Sequence, residues 1–292
     1  MKTPLAFMHI PKSAGTALTN ALLRLEPYKH EVHGWDRSLF GSYNDFHTWD
    51  QGRRPWLFLS PDEIEEKKNF ISGHIGYSNI RKRYRNAYVF SIIRNPFNRL
   101  LSHWLFWRGK PDGLESDIGN YARHVYSARM PLCVFLNNSA IAPQIDNVAA
   151  RMLLWPHPLI PDDDFIDDRN VNELISQAWE RLNEFEFVDL YENPNWLDNF
   201  QTWLGQELEL RKENETEIVP DNYRSNILAE ITPETRDLIK LRIRVDEGLW
   251  NRLVQQKFGS HALEKLKDSV ESTGIANFNV ILSGISRNII TL

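Results

Sequence analysis

Three short stretches of the 292-residue chain collect side chains that could handle anions and protons. In "HIPKSAGTAL", residues 9–18, Lys12, Ser13, Gly15 and Thr16 lie between an apolar run and a helical pattern. In "RNPFNRLLS", residues 94–102, Arg94 ends a second apolar run and Ser102 follows eight residues later. Between them, "NFISGHI" (69–75) carries Gly73-His74 at the end of a third.

The first stretch reads as a strand, a tight turn and a helix that starts near Thr16. The leading N–H groups of a helix lack intrahelical partners and sit at the positive end of its dipole, which makes an anion site. Gly15 lets backbone approach a ligand closely. Lys12 adds a mobile charge, Ser13 and Thr16 add hydroxyl donors, and Ala14 and Ala17 complete the turn. An ATP-binding loop would need G-x-x-x-x-G-K-[ST]. Here Pro11 precedes the lysine and position 6 is Ala, so both glycines are absent. The shorter loop suits one terminal phosphate better than three.

At the end of a parallel strand, Arg94 points into the crevice where α/β proteins bind ligands. Ser102 falls on the following helix, with Arg99 its neighbour three positions earlier. Taken alone, Arg94 and Arg99 read as surface or salt-bridging residues. Taken with the first turn, Arg94 and Ser102 describe a ligand with two separate phosphates. Adenosine 3′,5′-bisphosphate (PAP) is such a molecule, and its sulfated form, PAPS, is a sulfuryl donor. His74 supplies a base, since a neutral imidazole accepts protons near physiological pH.

The elements that must hold these groups are strands alternating with helices. "PLAFMHI" (4–10), "NFISGHI", "AYVFSIIR" (87–94) and "FEFVDLYE" (185–192) have strand character. Ser60-Pro61-Asp62-Glu63 has the form of a capping box. Helical patterns cover Thr16 to Leu25, Pro96 onward, 117–129, 143–155, 171–184, 193–208 and the long stretch from Thr232. Alternation of this kind predicts an α/β fold, a central mainly parallel sheet flanked by helices. Residues 34–56 mix aromatics, glycines and charges without a period and read as a loop or irregular insertion. The tail 274–292 has room for a strand. With no linker or repeat, residues 1–292 read as one domain.

Composition narrows the classes. The net charge of −5 argues against a general nucleic-acid partner. Cys133 is the only cysteine, so no disulfide forms within the chain. No signal peptide or long apolar span is present, so no membrane span is expected. The expectation is a cytoplasmic enzyme or a catalytic domain taken from a longer chain. "PDDDFIDD" (161–168) lacks calcium-loop spacing and its glycine, so it reads as a solvated acidic loop and no metal is expected. His103 and His124 read as structural.

"HIPKSAGTAL" resembles the 5′-phosphosulfate loop of PAPS-dependent sulfotransferases, in particular the branch with heparan sulfate 2-O-sulfotransferase and the Golgi carbohydrate enzymes. "RNPFNRLLSHW" resembles that family's 3′-phosphate motif, and "ISGHIGY" the segment with its catalytic histidine. "QIDNVAARMLLW" and "FEFVDLYENPNWLDNFQTWLG" look familial too, so the resemblance runs from residue 7 to about 258. It implies a fold like that of P-loop kinases. It also implies PAPS as co-substrate, His74 as base, and Lys12 on the charge that grows as PAP leaves. The loop's backbone N–H groups at 13–17 would take the 5′-phosphate, and Arg94 and Ser102 the 3′-phosphate.

Ser13-Ala14 stands where the family more often has Thr-Gly or Thr-Ala, and Asn95 where Asp is common. Ser72 stands where the heparan enzyme has a second histidine. Segments 34–56 and 109–143 would flank the acceptor entrance, with Trp35, Tyr43, Trp49, Arg53, Arg54 and Trp56 able to stack on or pair with a sugar. Arg224, Ser225 and Asn226 would approach the nucleotide's 3′ side. The acceptor is then a hydroxyl-bearing glycan, glycolipid or small metabolite. Two other readings stay open: a P-loop-type nucleotide kinase or NTPase, and a non-catalytic PAP- or glycan-binding protein.

Overall fold

The computed structural model describes residues 2–42, 52, 54–114, 122–211 and 217–284. Its centre is a six-stranded sheet, all parallel, in the order β3-β2-β4-β1-β5-β6. The strands are β1 (Leu5–Met8), β2 (Glu31–Asp36), β3 (Leu57–Phe58), β4 (Phe70–His74), β5 (Tyr88–Ile93) and β6 (Phe187–Leu190). The four expected strands are therefore present, and the sheet has two more.

Successive side chains of a strand point to opposite faces. Ala6, Met8, Ile71 and Val89 enter one hydrophobic cluster, which the long helix Pro233–Phe258 closes with Leu249, Trp250 and Leu253. Leu5, Phe7, Phe70, Phe90 and Ile92 enter the other, under Leu18 and Leu22 of the helix Gly15–Leu23 and Phe200 and Leu204 of the helix Trp196–Leu204. Both faces of the sheet are thus covered, as a parallel sheet requires.

Residues 34–56 are not wholly a loop. β2 runs to Asp36 and pairs along β4 from Glu31↔Phe70 to Trp35↔His74, and its alternation was hidden because Gly34 and Asp36 replace apolar residues on the inner face. A Cβ on Gly73 would meet the Gly34 carbonyl at 2.3 Å, so glycine permits this close pairing. The tail is a correction as well. Its described part is helix, Leu263–Ser283, with Phe278, Ile281 and Leu282 buried at helical spacing. Residues 285–292 lie outside the described residues.

Smaller differences have local causes. The 143–155 pattern splits into Ala142–Ile145 and Val148–Leu154 because Asn147 takes a left-handed backbone, φ 48°. At Ser60-Pro61 the cap is rewired: Glu63 accepts from Leu59 N–H at 2.8 Å, and Pro61–Glu63 is a single 3-10 turn. The acidic loop is less free than expected, since Asp162 binds Arg37 and Trp155, and Asp163 binds Ser42.

Candidate active site

Sheet order places the three motifs together. β1 lies between β4 and β5, and all three run parallel. Lys12 and Ser13 follow β1, His74 ends β4, and Arg94 follows β5, so they gather at the carboxyl ends of these interior strands. Those ends flank the point where the chain switches from building leftward to building rightward, the usual ligand crevice of such sheets.

The first turn is bent tightly. Lys12 and Ala14 both adopt positive φ, 67° and 61°, unusual for residues with a side chain and typical of strained functional loops. Ala14 occupies the cap position of Gly15–Leu23 without a side-chain oxygen to offer. The leading N–H groups of that helix thus face the crevice without a side-chain cap. Ser13 Oγ is buried with no hydrogen-bond partner. Arg94 supports the turn through Nη1, which donates to the Lys12 carbonyl at 2.9 Å, and its Nε is buried without a partner.

Cations gather here despite the chain's net negative charge. Lys12 Nζ lies 4.3 Å from the centre of the Phe106 ring, and Lys110 Nζ lies 4.1 Å from the same ring. Arg94 stacks on Tyr191 at 5.1 Å. Burial first, then the charges of Arg94 and Lys110, brings the Lys12 ammonium down to about 7. Such crowding favours an incoming anion. Ser102 is buried in the helix Pro96–Arg108, whose cap residue Asn95 accepts from Asn98 N–H at 3.1 Å.

His74 is held from one side only. Its Nδ1–H donates to the His9 carbonyl at 2.6 Å. That bond fixes the proton on Nδ1 and leaves Nε2 as the acceptor, the arrangement a base needs. Burial chiefly, opposed by this bond, lowers His74 to about 4, so the ring is neutral at ordinary pH. The His9 ring packs 4.6 Å from the His74 ring. It also fills the space beside Gly15, where a Cβ would lie 1.9 Å from His9 Nε2. The glycine of the turn therefore makes room for a histidine. His9 was not singled out in the sequence, although it sits in the motif directly after β1.

The segment expected to flank an acceptor is partly described. Trp35 lies beside His74 in register, and its ring meets those of His33 and Trp56 at 6.1 and 5.5 Å. Trp56 is exposed and Arg54 half-buried in the turn Arg54–Trp56. Tyr43, Trp49 and Arg53 fall outside the described residues. His33 lies 3.9 Å from Glu31, whose carboxyl burial raises to about 7. His103 is buried and accepts from Trp107 Nε1 at 3.2 Å, one turn along its own helix. Arg224, Ser225 and Asn226 serve the scaffold, pairing with Asp221 and Glu230 and capping Ile227–Glu230.

Among the described residues no group of His, Cys, Asp and Glu is arranged to hold a metal, and no helix is long and apolar enough to cross a membrane. Residues 2–127 match the sulfotransferase family, a span that contains the first turn, His74, Arg94 and Ser102. No curated protein matches the chain.

Proposed function

We propose that this chain, whose residues 2–127 belong to the sulfotransferase family, moves a sulfuryl group from PAPS to an acceptor hydroxyl. The observation that carries the reading is the meeting of the Lys12 turn, His74 and Arg94 at the ends of three adjacent strands, β4, β1 and β5. A donor with phosphates at both ends fits what lines the crevice. Orphaned donors at Ser13 and Arg94 and a cation cluster await acceptors.

The turn's N–H groups and Ser13 would hold the 5′-phosphosulfate, and Arg94 with Ser102 the 3′-phosphate. The acceptor oxygen forms a bond to sulfur while its proton passes to His74 Nε2. The bond between sulfur and the bridging oxygen breaks, and Lys12 meets the charge left on that oxygen. The His9 carbonyl steadies the imidazolium that results. Positioning and fixed charge supply most of the acceleration, as in phosphoryl transfer. Trp35 and Trp56, with Trp49, Arg53 and Arg54 of the same segment, would guide a glycan or a small hydroxylated metabolite toward His74. The whole chain is read as one such domain, with residues 34–56 and 109–143 on the acceptor side.

Thermal stabilisation separates this from a nucleotide kinase, because a ligand that binds only the folded state raises its melting temperature. PAP is expected to stabilise the protein more than AMP or ATP with magnesium. A preference for ATP with magnesium would sink the sulfotransferase reading. Turnover of PAPS with a screen of hydroxylated acceptors, lost in Lys12→Ala, separates an enzyme from a binding protein.

A further inference from the structure

Arg99 is the most anomalous side chain in the described structure. It is 2% exposed, and Nε, Nη1 and Nη2 all lack a hydrogen-bond partner. A buried guanidinium without acceptors is costly, because each donor has given up water for nothing. The nearest opposite charge does not satisfy it. Asp246 is buried, but its carboxylate oxygens already accept the N–H groups of Ala149 and Ala150 at 3.0 and 2.9 Å, and no ion pair with Arg99 forms within 4.0 Å. Burial first, with Arg94's like charge adding to it and Asp246 opposing, brings Arg99 to about 10, so it stays charged at neutral pH.

Its place on the helix points to what would satisfy it. Ser102 and His103 lie three and four residues on and Phe106 seven, so the four form one stripe of Pro96–Arg108. Phe106 is the ring against which Lys12 and Lys110 rest. Arg94 and Arg99 stand five residues apart across the junction of β5 and this helix, on either side of its cap Asn95, and the like charge of Arg94 acts on Arg99.

Resting on the PAPS reading above, we propose that Arg99 is a third member of the 3′-phosphate grip, donating to the phosphate that Arg94 and Ser102 face. It would make the site selective for a nucleotide carrying that phosphate. A guanidinium suits this task, since its donors form a rigid fork that matches phosphate oxygens.

The test compares binding of PAP and AMP, two nucleotides that differ only in the 3′-phosphate, to the full chain by calorimetry. The wild type is expected to prefer PAP. Arg99→Gln is expected to cut that preference by roughly tenfold to a hundredfold, the loss of one or two charge-assisted hydrogen bonds. Arg99→Lys, which keeps the charge but not the fork, should fall between the two and guards against misfolding of the neutral variant. A lowered melting temperature with an unchanged PAP-to-AMP ratio in Arg99→Lys would mean that Arg99 only balances Asp246, and would overturn the inference. If the wild type itself does not distinguish PAP from AMP, the PAPS reading fails and takes this one with it.

Discussion

The bond from His74 Nδ1 to the His9 carbonyl fixes which ring nitrogen the proposed base would offer. His74→Gln should lower kcat by about 10²–10⁴-fold with little change in KM for the donor, measured in PAPS turnover. Because burial holds His74 near 4, the acid limb of the rate profile should fall near pH 4 instead of near 6.5. Gly15→Ala would drive a methyl group into the His9 ring. The ring next to it is His74, so this change should lower kcat as well as stability, the latter by about 1–3 kcal/mol. The candidate residues Lys12, Ser13, His74, Arg94 and Ser102 could be proposed from the sequence because each belongs to a motif with its own spacing. His9, Phe106, Lys110 and Tyr191 could not, because their contacts around His74, Lys12 and Arg94 join segments far apart in the chain, and no local pattern records that.

At the scale of elements, β2 shows why periodicity has limits. Its inner face carries Val32, Gly34 and Asp36, and only the first is apolar. Asp36 is fully buried, yet it is richly satisfied: Ser38 N–H, Gly76 N–H and Asn79 Nδ2 donate to it at 3.0, 2.7 and 2.8 Å. One carboxylate thus ties the end of β2 to the turn just after His74. Asp36→Ala should cost roughly 3 kcal/mol, since several buried donors lose their acceptor together. Chemical denaturation would measure it. The C-terminal region misleads for a related reason. "NVILS" is a short apolar run, which strands and buried helices share, and only the spacing of Phe278, Ile281 and Leu282, buried in a further cluster with Phe97, Leu100 and Leu101, decides for helix.

For the molecule as a whole, the parallel sheet was readable because β4, β1, β5 and β6 are short, largely apolar runs, whereas β2 and β3, which complete the sheet beyond β4, needed the fold to reveal them. Burial also makes the chain acid-sensitive at particular rings. His103 is held well below its ordinary value, mainly by burial and next by Arg99. An unfolded histidine titrates near 6.5. Between the folded and unfolded values the unfolded chain binds the extra proton, so His103 subtracts stability as pH falls below 6.5. His103→Gln should therefore flatten the decline in melting temperature between pH 7 and 4.5 relative to the wild type. The carboxylates titrate in both proteins and cancel in the comparison.

Lys12 carries a different consequence. Burial, and after it the like charges of Arg94 and Lys110, leave its ammonium at about 7. An anion arriving beside it would restore the proton. Above pH 7 the crevice would then take a hydrogen ion from solution together with its nucleotide. The heat of PAP binding should change with the ionisation enthalpy of the buffer, and affinity should weaken as the medium becomes alkaline. A turn proposed to hold phosphate would thereby also report the acidity of its surroundings.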